Sequence, residues 1–179
     1  MKFKLTILPI ALYMITNAAH AADQGQGKVT FTGTIIDAPC SIAPESADQT
    51  VSLGQIANKS LLNGGKSKPT YFAIKLENCD VSSLTNKTVT ATFTGQKSTA
   101  NPNNLALTGS ASGASIVLST EGGQDIKLGQ PTPGLMLQNS NATMNFAAYL
   151  VGDPASKDGT STIVPGEFSS VANFILSYQ

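Results

Sequence analysis

The sequence predicts an all-β chain folded as an immunoglobulin-like sandwich, and three observations predict it. Short runs alternate apolar and polar residues with period two, and clusters of Gly, Pro and Asn separate them. No stretch sustains a helical period. Two and only two cysteines, Cys40 and Cys79, occur in a chain that begins like an exported protein. In an oxidising compartment such a pair reads as one disulfide.

The export signal comes first. Met1-Lys-Phe-Lys4 is a positively charged start, Leu5 to Ile15 is an apolar run, and Ala19-His-Ala21 supplies small residues for cleavage. The run is shorter than the roughly 20 apolar residues a membrane span requires. The expectation is a signal peptide at 1–21, an N-terminal extension at 22–36 and one domain at 37–179. The mature chain of about 158 residues is of one-domain length, and no second apolar run in it could span a membrane.

Taking the elements in order, Asp23 to Lys28 holds too much Gly and Gln to order itself. Val29 to Ile36 then alternates, with Val29, Phe31, Gly33 and Ile35 sharing a face, which predicts a strand. Asp37-Ala-Pro39 breaks it, and Cys40-Ser-Ile42 resumes an extended run. Thr50 to Leu53 predicts a short strand closed by Gly54. Ser60 to Leu62 fits a helical turn or a loop before the turn signal Asn63-Gly-Gly65. Tyr71 to Leu76 and Lys87 to Thr94 predict strands, the second with Val89, Ala91 and Phe93 inward. Gly95 to Gly113 is polar and reads as loop around Leu105-Ala-Leu107. Ala114 to Leu118, Asp125 to Leu128 and Thr143 to Val151 follow as strands, and Gly152 to Val164 as a loop.

The closing run, Gly166 to Gln179, carries Phe168, Ala172, Phe174, Leu176 and Tyr178 on one face. Its pattern demands a neighbour on each side, yet no further strand follows it in the sequence. An apolar strand left at a sheet edge invites pairing with another chain, so its missing partner must come from earlier in the chain or from another molecule.

Composition removes most chemistry. Charged residues are 12% of the chain, all eleven cationic side chains are Lys, and the mature charge is near −2. Nucleic-acid binders rely on basic stripes and Arg forks, so that class is excluded. The only histidine, His20, lies in the leader. A mature chain without His lacks Ser–His–Asp and Cys–His nucleophilic sites and the most usual zinc ligand. Asp37, Glu77, Asp80, Asp125 and Asp153 stand singly beside turn residues, where capping explains them. No cofactor, metal site or enzyme activity is expected.

Gly33 supports two readings. It is a strand bulge, or it interrupts the apolar row of a strand that slides into another protein's groove where no side chain fits.

Taken together, the two ends of the chain resemble a known family. The run from Gln24 to Ile42, with Cys40 in it, and the run from Gly166 to Gln179, with Gly fourteenth from the end and Tyr penultimate, carry the resemblance. Cys79, Lys68-Pro69 and Glu77-Asn-Cys-Asp80 extend it between the ends. The chain is similar to the major rod subunits of chaperone–usher pili, the P pilus rod pilin and related fimbrial shaft pilins. Coverage is effectively the whole mature chain, although Gly95 to Gly113 resembles nothing in particular.

That resemblance implies an immunoglobulin-like fold lacking its final strand. A groove beside the C-terminal strand is filled first by a strand of a periplasmic chaperone. At an outer-membrane usher the N-terminal extension of the next subunit replaces it, a form of β-augmentation. Carried over residue by residue, Val29, Phe31, Gly33 and Ile35 form the donor face. Gly166, Phe168, Ala172, Phe174, Leu176 and Tyr178 form the acceptor side, and Gln179 meets the chaperone. The implied partners are other copies of the chain, the chaperone, the usher and neighbouring minor pilins, at the bacterial surface. Two other functions share features of the sequence. A minor adaptor or terminator pilin has the same fold, and a tip adhesin adds a glycan-binding domain for which this chain has no room.

Overall fold

The structure is a computed structural model and describes residues 27–138, 140–155, 159 and 161–179. The leader expected at 1–21 lies outside the described residues. The chain divides into two units between Ile35 and Ile36. In the first, residues 27–35 run without ladder partners and are exposed throughout. Val29 to Ile36 therefore forms no strand. Its alternation is real, but a strand exists only with a neighbour to take its backbone hydrogen bonds.

The second unit is a sandwich of two sheets. Its strands are β1 (Ser41–Ile42), β2 (Thr70–Cys79), β3 (Thr88–Gly95), β4 (Leu105–Ala106), β5 (Thr108–Gly109), β6 (Ala114–Thr120), β7 (Asp125–Ile126), β8 (Leu135–Met136), β9 (Ser140–Gly152), β10 (Phe168–Ser169) and β11 (Ala172–Tyr178). One sheet has the order β1-β2-β9-β6-β4, with β7 also on β6; the other has the order β11-β3-β8. Strands β5 and β10 pair as a separate ribbon. Every ladder is antiparallel, as hairpins and crossovers of short strands permit.

The inward residues of the two sheets build one core. Ile74 and Leu76 of β2 meet Val89, Ala91 and Phe93 of β3 and Met144, Phe146, Ala148 and Leu150 of β9. Phe93 joins the layers, with its ring centroid 5.0 Å from Phe146 and 6.4 Å from Phe72, edge to face in both cases. This arrangement favours the ring quadrupoles beyond simple burial. Cys40 and Cys79 form the expected disulfide, both buried.

Several expectations are corrected. Thr50 to Leu53 joins no ladder, and a one-turn helix, α1 (Pro44–Ala47), precedes it, started by Pro at its first position. The turn near Ser60 is 3₁₀ in two pieces, Asn58–Ser60 and Leu62–Gly64. Gly95 to Gly113 is not all loop, since β4 and β5 lie within it, and β8 had no sequence signal long enough to mark it. Asp125 to Leu128 keeps only two strand residues. The closing run is two strands rather than one. At the 108–113 stretch, Gly109 and Gly113 have φ of 135° and 85°, and a side chain at either would strike the backbone carbonyl of Glu167 or Thr162. Only Gly permits that close approach, and the one at Gly109 lies against Glu167 and Phe168, where β5 pairs with β10.

Candidate assembly interface

The site begins with the register of β11. It runs antiparallel to β3, from Ala172 opposite Gly95 to Tyr178 opposite Val89. One residue further, Thr88 and Gln179 each donate a backbone N–H to the other's carbonyl, both at 3.0 Å. Mutually bonded pairs alternate with unbonded ones in an antiparallel ladder. Counting back from Gln179, the backbone groups of Ser177, Ile175 and Asn173 point at β3. Those of Tyr178, Leu176, Phe174 and Ala172 point the other way, and among the described residues no strand pairs with that edge.

Among the described residues the other strands that end the sheet orders are short. β1, β4, β7 and β8 are each two residues long, a common way of blunting an edge. β11 presents seven.

The side chains repeat the same incompleteness. Phe174, Leu176 and Tyr178 pack against the core but stay half-buried, whereas Val89, Ala91 and Phe93, directly opposite on β3, are 0–2% exposed. Among the described residues, β3 is the strand that flanks the inward row of β11. Burial already pushes the Tyr178 phenol above its ordinary 10.0. Outward, Ile175 is 63% exposed.

A second incomplete stretch lies on the same core. In residues 50–56, Val51, Leu53 and Ile56 are half-buried at or near alternate positions, and Leu53 and Ile56 pack against the core cluster. Among the described residues none of 50–56 has a backbone hydrogen-bond partner. Sequence reasoning had the right pattern here, Thr50 to Leu53, but assigned it a ladder and no part in a site.

The remaining expected residues fall as follows. Phe168 is half-buried against the core from β10, Ala172 is exposed at the start of β11, and Gly166 lies in a bend against Ser110, two residues before β10. Of the donor row, Val29 is 76%, Phe31 90% and Ile35 102% exposed, and a Cβ on Gly33 would meet nothing within 4 Å.

No group of acidic, His or Cys side chains suited to a metal ion occurs among the described residues, and no helix there is long and apolar enough to cross a membrane. The most developed polar cluster is Lys66–Tyr149–Asp125. Tyr149 donates to Asp125 Oδ1 at 2.7 Å and accepts from Lys66 Nζ at 3.3 Å, with that ammonium 5.2 Å from the ring centre. Burial, then the Asp125 bond, pushes the phenol up. These groups satisfy one another and cap the outer face of the β2–β9–β6 sheet.

Comparison with known proteins points the same way. The family model described as fimbrial protein matches residues 29–179, which includes the exposed row as well as the sandwich. The chain is 56% identical to the Fimbria A protein of Serratia marcescens, covering 98% of each chain. It is 44% identical to the Major MR/P fimbria protein of Proteus mirabilis, covering 97% of this chain and 95% of that one. Among solved structures, it is similar to the crystal structure of the P pilus rod subunit PapA, at a TM-score of 0.70 and 32% identity over 79% of this chain and 100% of that one. A chaperone–usher pilus structure bearing on rod uncoiling matches at a TM-score of 0.75 and 36% identity, over 87% and 97%.

Proposed function

The chain belongs to the fimbrial protein family, and from this premise we propose that it is the structural shaft subunit of a chaperone–usher fimbria. Each copy accepts a strand from a neighbour along β11 and donates its own residues 22–36 to the next. The observation that carries this reading is the open seven-residue edge of β11, whose unpaired backbone groups and half-covered Phe174, Leu176 and Tyr178 belong to the same strand.

An alternating donor fits that edge on physical grounds. Its backbone supplies the missing ladder, and Val29, Phe31 and Ile35 bury against the inward row. Each such side chain contributes on the order of 1.5–3 kcal/mol when covered. Gly33 fits where the donor backbone must approach closely. A contact between two different surfaces of one chain does not close on itself, so it propagates as an open filament. Names of the relatives support the major shaft role over an adaptor or terminator.

In this reading a periplasmic chaperone covers the β11 edge first, contacting the strand through to Gln179, and an outer-membrane usher exchanges it for the donor. The mature subunit passes through the periplasm to the cell surface. Gly166, Phe168 and Ala172 belong to the acceptor end where β10 gives way to β11. Expression of the mature chain with and without residues 22–36, beside a pilus chaperone, tests the proposal. The truncated form should persist only as a chaperone complex and never polymerise. A truncated protein that is stable, monomeric and chaperone-free would overturn it.

A further inference from the structure

The disulfide stands where the exposed N-terminal segment enters the sandwich, and its position decides where tension on that segment goes. Ile36 is followed by three residues, Asp37-Ala-Pro39, and then by Cys40. The Pro39 carbonyl accepts a hydrogen bond from the Asp80 N–H at 2.9 Å, and Cys40 is bonded to Cys79. Two tethers therefore meet the incoming chain within two residues.

Beyond Cys40 the direct path along the chain is weak. β1 pairs with β2 at two positions only, Ser41 with Glu77 and Ile42 with Leu76. Behind it come the Ala43 N–H on the Lys75 carbonyl at 3.0 Å and the Lys75 N–H on Ser46 Oγ at 3.0 Å. The side-chain amide of Gln49 reaches the Ala73 carbonyl at 3.2 Å. Among the described residues, 50–56 find no backbone partner. A pull from the N-terminal side loads these contacts one after another, starting at an edge strand's terminal pair. They would open in sequence.

The bridge offers another route. Cys79 ends β2, an inner strand bonded to both β1 and β9, and residues 80–87 lead from it directly into β3. β3 is the strand that holds β11 over seven positions. Residues 41–78 become a closed loop that tension on the N-terminus cannot lengthen.

We infer that the Cys40–Cys79 bridge insulates the acceptor side of each subunit from load on its own donor segment. Tension crosses at the bridge, follows residues 80–87 into β3 and leaves through β11. It never reaches 41–56, the segment that places Leu53 and Ile56 on the core also covered by Phe174, Leu176 and Tyr178. Without the bridge, pulling on a subunit's donor strips that segment, uncovers the shared core and loosens the subunit's hold on the strand it has accepted. This inference rests on the donor–acceptor reading above.

Single-fibre stretching at constant load tests it, comparing wild-type fibres with fibres of the Cys40→Ser/Cys79→Ser variant. The expected result is an added extension of at most roughly 60 Å per yielding subunit, the length of residues 40–56 pulled straight less the distance they already span. Fibre lifetime under load should fall at least tenfold, with no such step in the wild type. Equal lifetimes and no added extension would overturn the inference. Should the variant not assemble, wild-type fibres are held with a dithiol reductant, which is oxidised to its own disulfide as the bridge gains two electrons and two protons. Lifetime should then shorten in reductant only when the fibre is loaded, and no change under load would be the contrary result. Wild-type subunits that form no fibres at all would instead overturn the donor–acceptor reading, and this inference with it.

Discussion

Thr88 and Gln179 exchange both of their backbone hydrogen bonds, each 3.0 Å long, and that pair sets the phase of the whole closing strand. With Gln179 bonded inward, the alternation of an antiparallel ladder directs the N–H and C=O of Tyr178, Leu176, Phe174 and Ala172 to the open side. Three of these residues also carry the half-covered apolar row. Backbone and side chains are thus incomplete at the same residues.

Neighbouring positions on β11 should respond oppositely to a charge. Leu176→Lys places an ammonium in the row that the proposed donor would cover, where an unpaired charge is costly to bury. Ile175→Lys projects from the outer face, where Ile175 is already 63% exposed. Pull-down of a peptide spanning residues 27–36 should drop at least tenfold for Leu176→Lys and by less than threefold for Ile175→Lys. Equal losses would mean that the donor does not approach the inward row.

Gly33→Leu is expected to block polymerisation while leaving chaperone binding intact. The glycine has open space around it in the single chain, so the substitution should not disturb folding, and any defect arises on assembly. Electron microscopy of fibres alongside chaperone co-purification checks both halves. Normal fibres from this variant would remove Gly33 from the donor face.

The Tyr178 phenol reports groove filling. Its value is raised by burial above 10.0, so the folded state prefers the neutral form. Its contribution to stability is present below pH 10 and is lost as pH rises through the folded value. Covering the groove deepens the burial, and phenolate absorbance attributable to Tyr178, by difference from Tyr178→Phe, should appear at higher pH in fibres than in an arm-deleted subunit just released from its chaperone. An unchanged midpoint would contradict cover at that residue.

Phe93 carries the contact between the sheets. Phe93→Ala should cost about 3–5 kcal/mol, read as a fall in denaturant midpoint at unchanged slope. Opening the bridge, which spans a sequence separation of 39, should cost about 4 kcal/mol in the chain-entropy account. A loss under 1 kcal/mol in either case would mean that the core closes without that element.

Much of this was legible in the sequence because burial on one face writes period two into a strand. Val89, Ala91 and Phe93 announced β3, and Phe174, Leu176 and Tyr178 announced β11 in the same way. Pairing is less legible. Val29 to Ile36 and Thr50 to Leu53 have strand patterns but no ladder, because alternation records which face is apolar and says nothing of whether a neighbour is present. Two-residue strands such as β8 are too short to show a period. The break between β10 and β11 follows from the pairing of β10 with β5, Phe168 opposite Gly109 and Ser169 opposite Thr108, partners too distant in the chain for local pattern to reveal. The second incomplete stretch, residues 50–56, escaped notice for a related reason: its role depends on sharing a core with β11.

The measurement that tests the central claim most directly is residue-resolved hydrogen exchange of β11, in an arm-deleted subunit held by a chaperone that is then competed away by a peptide spanning residues 27–36. At the moment of release, the amides of Ala172, Phe174, Leu176 and Tyr178 should exchange quickly while those of Asn173, Ile175 and Ser177 stay protected by β3. On peptide binding the first set should slow by at least a hundredfold. Fast exchange persisting at Phe174, Leu176 and Tyr178 with the peptide bound would contradict strand addition at this edge.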